Sequence, residues 1–184
     1  ILERTLRRLS AKGVTLDRRN VLVFGDERLA RSMLFGIQQT KGSAVLTSSH
    51  DGAEEIHFCQ ECGAESDPVP SKVVQVATDL KTRFLPFDEV SQSTPDVVVV
   101  ADTALELGYG SDELNPTWLR PPMVVVDVTS FPEESDLLAE ARQRGCTIVR
   151  PSYIFSQLLS DQFKAITNQE LPPDVFYNAL DLQT

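Results

Sequence analysis

The sequence predicts an α/β protein in which a parallel sheet is wound on both faces by helices, giving a three-layer sandwich. Three observations carry that expectation. First, Val21-Leu22-Val23-Phe24, Val97-Val98-Val99-Val100 and Val124-Val125-Val126 are unbroken apolar runs. Strands covered on both faces read this way, whereas a half-exposed strand alternates. Second, helical periodicities lie between the runs. Leu29, Met33, Leu34 and Ile37 repeat at helical spacing with Gly42 beyond them, and Leu137, Leu138 and Ala141 repeat before a stop at Gly145. Third, strand and helix alternate along the chain, which is the order of βαβ units.

The remaining elements follow from shorter signals. Ala44-Val45-Leu46 and Thr147-Ile148-Val149 read as further strands. Residues 1–12 carry Ile1, Thr5, Leu6 and Leu9 with Arg4, Arg7 and Arg8 between them, an amphipathic helix with a solvated basic face. The chain opens at Ile1 and not at Met. Residues 1–20 are therefore read as a linking helix from a missing N-terminal domain, and 21–184 as the sheet domain. Ser156 to Ile166 reads as a core-packing helix carrying Leu158, Leu159, Phe163 and Ile166. Pro172-Pro173 would break it, and Val175 to Leu182 makes a short closing helix. Trp118 reads as a packing anchor and Gly108-Tyr109-Gly110 as a mobile loop.

Composition excludes several classes of partner. The 184 residues hold 17 Lys plus Arg against 27 Asp plus Glu, a net charge of −10. That balance argues against nucleic acid or an anionic membrane surface as the main partner. No apolar run reaches the length of a bilayer span, and no signal or transit peptide is visible. Three cysteines are too few for a secreted disulfide framework, so a reducing cytoplasm is the expected compartment.

Between Ser49 and Arg83 the chain is longer than a crossover needs. Two helical patterns compete there. Ala53 to Cys62 places Ala53, Ile56, Cys59 and Cys62 on one stripe. Ser71 to Leu80 offers Ser71 as N-cap with Val73, Val76, Ala77 and Leu80 inward. The second is preferred because it leads straight into Phe84-Leu85-Pro86-Phe87-Asp88-Glu89, which resembles the short third strand of the family named below. Residues 50–70 then form an insertion holding His50, His57, Cys59 and Cys62. Two His and two Cys make a full tetrahedral zinc set by type. A single Cys-x-x-Cys is a weak signal, however, and on a helix His57 and Cys59 point to nearly opposite sides. No metal site is assigned, and buried thiols on an amphipathic helix are the preferred reading.

In a doubly wound sheet the turn after the first strand meets the ligand, and an anion rests on the following helix N-terminus. Here that turn is Gly25-Asp26-Glu27-Arg28-Leu29. It has the first glycine of a dinucleotide turn, while Glu27 and Arg28 stand where further glycines belong. Asp26 and Glu27 put two carboxylates near a pyrophosphate, a repulsion of about 1 kcal/mol or more at short range. The second strand ends in Thr47-Ser48-Ser49, and the central Val97 strand ends in Ala101-Asp102-Thr103. Asp102 and Asp127 also suit the role of strand-end caps. No Ser-His-Asp arrangement is visible, and no catalytic residue is assigned.

Trp118-Leu119-Arg120-Pro121-Pro122-Met123-Val124-Val125-Val126-Asp127-Val128 resembles the stretch entering the fifth strand of the shikimate dehydrogenase Rossmann domain. Phe131-Pro132-Glu133-Glu134-Ser135-Asp136-Leu137-Leu138, with Ala141 and Gly145-Cys146, resembles the motif and helix after it. Gln162-Phe163, Ile166-Thr167-Asn168 and Pro172 are similar to the closing helix and turn. The resemblance runs from about Val21 to Leu180 and implies a Rossmann-like domain that binds NADP. The implied cofactor contacts are Gly25, Asp26, Glu27, Arg28 and Leu29 at the glycine-rich turn. Thr47, Ser48 and Ser49 fall at the triplet that reads the NADP phosphate. Ala101, Asp102 and Thr103 fall beside the nicotinamide. The motifs are degenerate: Ser130 replaces a substrate tyrosine, Pro151 a glycine and Leu158 a substrate glutamine, with Gln157 one place earlier.

The family's catalytic Lys and Asp belong to an N-terminal substrate domain that this chain lacks, so the fragment alone is expected to be inactive. The resemblance implies a full-length enzyme that reduces 3-dehydroshikimate to shikimate with NADPH in aromatic amino-acid biosynthesis. It extends to bifunctional proteins in which a dehydroquinate dehydratase precedes the dehydrogenase. The alternative expectation is a non-catalytic structural or docking Rossmann domain that has lost NADP binding.

Overall fold

The valine runs become the interior of a six-stranded sheet. A computed structural model describes residues 19–25, 27–38, 43–48, 72–111, 113–129, 134–172, 175, 176 and 178, with the backbone alone for Glu27 and Arg28. The strands are β1 (Asn20–Gly25), β2 (Ser43–Thr47), β3 (Arg83–Phe84), β4 (Val97–Ala101), β5 (Val124–Asp127) and β6 (Thr147–Val149). Their order is β3-β2-β1-β4-β5-β6, and every pairing is parallel. This is the doubly wound Rossmann order expected from the alternation of elements. The helices are α1 (Glu27–Gln38), α2 (Lys72–Asp79), α3 (Asp136–Gln143) and α4 (Pro151–Thr167).

Alternation along the strands divides the core into two layers. Val21, Val23, Val97, Val99, Leu46 and Val126 face one side, where Ala30, Met33, Leu34 and Ile37 of α1 and Val76 and Ala77 of α2 cover them. Leu22, Phe24, Val98, Val100 and Val125 face the other. There Leu137, Leu138 and Ala141 of α3 cover them together with Trp118. The Trp118 ring meets Phe24 edge to face at 6.2 Å, and its Nε1 donates to the Ser93 carbonyl at 3.0 Å. It is thus the anchor the sequence suggested.

α2 bears out the helix expected over Ser71–Leu80 ahead of β3, with Ser71 and the competing Ala53–Cys62 outside the described residues. It is tied to α1 by Arg31–Asp79 at 3.1 Å and by Gln38 Nε2, which donates to the Leu80 carbonyl at 2.6 Å. α3 starts on Ser135, whose Oγ accepts the Leu138 N–H, and stops at Gly145 with φ +83°. At the other end of the sheet, Asp96 gathers strand starts. It accepts the Asn20 N–H at 2.9 Å, and its own backbone bonds both Asn20 and Val124.

Three expectations need correction. The segment Phe84 to Glu89 is mostly not strand. β3 is two residues long, Leu85 adds one bond to Leu46, and Phe87–Gln92 winds as a 3-10 helix after Pro86. A proline lacks the N–H that a longer strand would need. α4 begins at Pro151, five residues before the predicted start, because a proline with its fixed φ suits a first helical turn. It ends at Asn168 in the left-handed region, ahead of Pro172-Pro173, and its second half does not pack on the core. Finally, Gly108 and Gly110 lie in a tied loop. Glu113 accepts the Gly110 N–H at 2.8 Å, the Gly108 N–H donates to the Leu114 carbonyl, and the Leu114 N–H donates to the Glu106 carbonyl. The linking helix of residues 1–20 falls, apart from Arg19 and Asn20, outside the described residues. So do the insertion at 50–70 with its His and Cys residues, and most of the closing helix.

Candidate functional site

Strand order reverses between β1 and β4. β1 is followed outward by β2 on one side, and β4 by β5 on the other. In open α/β sheets the connections from neighbouring strands depart to opposite faces at such a point, and the carboxyl ends of the strands there are where ligands bind. The register fixes which residues border that end. Thr47, Phe24, Val100 and Asp127 form one row across β2, β1, β4 and β5, and Gly25 and Ala101 pair one step closer to the rim. Residues predicted from three distant stretches of sequence therefore share one edge of the sheet.

Gly25 ends β1 and is immobilised by α1. A β-carbon on it would sit 2.6 Å from the Ala30 Cβ and 3.1 Å from the Ala30 Cα. Its glycine is thus required for close approach of helix to strand, one of the tasks glycines perform in dinucleotide turns. α1 begins two residues later, at Glu27, and its first amide groups lack intrahelical acceptors. Leu29 is half-buried and packs on the core. Asp26 lies outside the described residues, as do the side chains of Glu27 and Arg28.

At the end of β2, Thr47 is fully buried, and its Oγ1 meets no hydrogen-bond partner among the described residues. A buried hydroxyl without a partner costs about 1–3 kcal/mol. Ser48 follows it and is also buried, and Ser49 lies outside the described residues. At the end of β4, Ala101 is wholly buried, and Asp102 turns back to accept the Ala104 N–H at 3.0 Å. Thr103 is exposed. Asp102 is thus the strand-end cap that the sequence offered as its plainer role. Asp127 does the same for β5, accepting both the N–H and the hydroxyl of Thr129 at 2.8 and 2.7 Å. Sequence reading overlooked Thr129 and Ala104 as the partners, although an acid two residues before a turn amide is a recognisable pattern.

Gln157 lies on α4 and is half-buried, while Leu158 beside it packs against the core layer of Val149 and Ile154. The one-residue offset therefore separates the two side chains by about 100° around the helix. Among the described residues no cluster of His, Cys, Asp and Glu could hold a metal ion. No described helix is long and apolar enough to cross a membrane. A groove of about 760 Å³ opens elsewhere, at the amino ends of β1 and β2, bordered by Asn20, Ser43, Gln38, Lys81 and Arg83. It lies at the opposite end of the strands from Gly25, away from the end at which such sheets bind ligands.

Comparison with known proteins agrees with this architecture. No family model matches the sequence. A curated shikimate dehydrogenase (NADP(+)) of Acidiphilium cryptum is 30% identical over 131 residues, covering 68% of this chain and 48% of that protein. The chain thus spans about half the length of the curated relative it matches. Among solved structures, shikimate dehydrogenase from Aquifex aeolicus superposes with a TM-score of 0.71 at 16% identity, covering 95% of this chain and 58% of its own. Shikimate 5-dehydrogenase from Thermus thermophilus, solved with NADP(H) and shikimate, gives 0.68 at 14% identity, covering 96% and 59%.

Proposed function

We propose that this chain, which is similar to shikimate dehydrogenases in sequence and in its Rossmann-like fold, is the cofactor-holding domain of a longer NADP-dependent dehydrogenase of this kind. The observation that carries the proposal is the register. It aligns Gly25 with Ala101 and Phe24 with Thr47 and Val100, so the ends of β1, β2 and β4 share one rim at the strand-order reversal, which supports this reading. The NADP pyrophosphate would lie over Gly25 and the start of α1, touching Asp26, Glu27, Arg28 and Leu29. The hydroxyls of Thr47, Ser48 and Ser49 would meet the 2′-phosphate end, a reading supported by the Thr47 hydroxyl, which has no hydrogen-bond partner among the described residues. Ala101, Asp102 and Thr103 would border the nicotinamide, with Gln157 toward the substrate.

When bound, the nicotinamide supplies hydride chemistry, and these residues hold and orient it. Reduction of 3-dehydroshikimate to shikimate would belong to the whole protein, whose substrate domain would carry the proton-transfer groups. A dehydratase domain upstream is one arrangement of that longer chain. A compartment that keeps cysteines reduced suits the free Cys146 thiol.

One observation favours a second reading, a Rossmann domain retained for docking. A β-carbon on Gly25 would meet Ala30, so helix–strand packing alone accounts for this glycine, without any need for a bound pyrophosphate. Calorimetric titration with NADP⁺ and NAD⁺ separates the two. Micromolar binding of NADP⁺ supports the cofactor domain, and millimolar or absent binding supports the docking domain.

A further inference from the structure

The groove at the amino ends of β1 and β2 has a chemistry of its own. Its floor follows from the register. Leu22, Val45 and Arg83 form one row across β1, β2 and β3, and Asn20 and Ser43 form the next. Phe84 packs into the first core layer and Leu85 into the second, so Arg83 shares the side of Leu85. Leu22, Val45 and Leu85 all border the groove and give it an apolar base. Past Leu85 the chain winds into the 3-10 helix Phe87–Gln92, which is only about 12 Å long. Its Glu89 and Gln92 border the groove as well, together with Ser93.

Two cations stand at this groove, and one is held there against backbone preference. α2 closes on two bonds, from the Thr82 N–H to the Ala77 carbonyl at 2.8 Å and from the Lys81 N–H to the Thr78 carbonyl at 3.1 Å. α3 closes on the same pair, from Cys146 to Ala141 and from Gly145 to Arg142. That cap needs a left-handed residue, which is ordinarily glycine. α3 supplies Gly145, whereas α2 supplies Lys81 with φ +52°. A side chain kept in a strained backbone position points to a task for that side chain. Gln38, which donates to the Leu80 carbonyl, fixes the turn. Lys81 and Arg83 are both exposed, and neither pairs with a carboxylate among the described residues, whereas Arg19, Arg31, Arg142 and Arg144 each do.

We infer that this groove is a second ligand site for a small hydroxylated phosphomonoester of the sugar-phosphate type. The guanidinium fork of Arg83 and the ammonium group of Lys81 suit a dianionic phosphate. Glu89 accepts from hydroxyl groups, Gln92 and Ser43 can both donate and accept, and the apolar base takes a C–H face. The volume of about 760 Å³ lies within the range of roughly 300–1,000 Å³ typical of small-molecule sites. The site goes beyond the proposed cofactor role and does not depend on it, because it lies at the opposite end of the strands from Gly25.

The test is calorimetric titration of the natural full-length polypeptide with glycerol 3-phosphate, ribose 5-phosphate and glucose 6-phosphate. At least one should bind about tenfold more tightly than inorganic phosphate or free glucose, and NADP⁺ should not displace it. Arg83→Gln should weaken that binding about tenfold, as expected for one charge-assisted contact. Lys81→Gly should weaken it by a similar factor and yet raise the unfolding temperature, because glycine relieves the left-handed position. A lysine with a merely structural role would not move the two readouts in opposite directions. NADP⁺ affinity should be unchanged in both variants. Absence of binding by all of these esters at millimolar concentration, affinity no better than that of inorganic phosphate, displacement by NADP⁺, or binding indifferent to both substitutions would overturn the inference. If a sugar phosphate binds as expected and NADP⁺ does not bind at all, the cofactor reading fails while the groove site stands.

Discussion

Gly25 is the residue on which strand, turn and helix meet, and its requirement is steric. Gly25→Ala drives a β-carbon into the Ala30 methyl group, and overpacking of this kind costs about 1–3 kcal/mol. We expect a lowered urea midpoint, partly restored in Gly25→Ala/Ala30→Gly, because the second change vacates the contested space. Thr47 behaves in the opposite sense. Thr47→Val removes a buried hydroxyl that has no partner among the described residues. Thermal unfolding should then show the ligand-free protein gaining about 1 kcal/mol, while calorimetry shows NADP⁺ binding weakened several-fold. Cys146 predicts a pH dependence. Burial raises its thiol above the ordinary value, and Arg144 pulls only weakly the other way. The unfolded chain therefore loses this proton first as pH climbs. The stabilisation is complete below the ordinary thiol value and declines as pH rises past it. Urea midpoints should fall on the alkaline side, and less steeply in Cys146→Ala. Among these residues only Gly25 was conspicuous in the sequence. Thr47 looked like any strand-end threonine, because the absence of a partner is a property of its neighbours.

At the level of elements, stop signals were easier to read than start signals. Gly145 ends α3 with φ +83°, a conformation that side chains disfavour. Gly145→Ala should lower the unfolding temperature by the equivalent of about 1 kcal/mol, checked by calorimetry. Ser135→Ala removes the cap on Leu138 and should cost a similar amount, about 1 kcal/mol. Pro151 stands in the place of a glycine in the family resemblance, yet in the structure it opens α4 as a first helical residue. β3 was overextended because Phe84, Leu85 and Phe87 share the composition of a strand. Pro86 lets the chain pair for two residues and then wind. The exposed Arg31–Asp79 and Arg142–Glu134 pairs add little to helix docking, since surface pairs contribute about 0–1 kcal/mol.

For the whole molecule, the proposed cofactor binding would be linked to folding. If NADP⁺ binds the folded chain alone, a hundredfold excess over Kd adds about 2.7 kcal/mol of stability, which appears as a raised unfolding temperature with NADP⁺ and a smaller rise with NAD⁺. An unchanged unfolding temperature at millimolar NADP⁺ would leave the docking domain as the better reading. By itself the sequence determined the α/β class, five of the six strands and the helices α1, α2 and α3. Those follow from local rules, since unbroken valine runs must be covered on both faces and helical spacing repeats every few residues. It also placed the candidate rim, because ligand-facing turns occur at fixed points in such a chain. Only the tertiary structure decided that Asp102 and Asp127 are turned back onto their own loops, that Thr47 meets no partner among the described residues, and that half of α4 carries no buried residue. Each of these depends on what neighbouring segments leave uncovered or fill, a relation between residues far apart in the chain that no local pattern records.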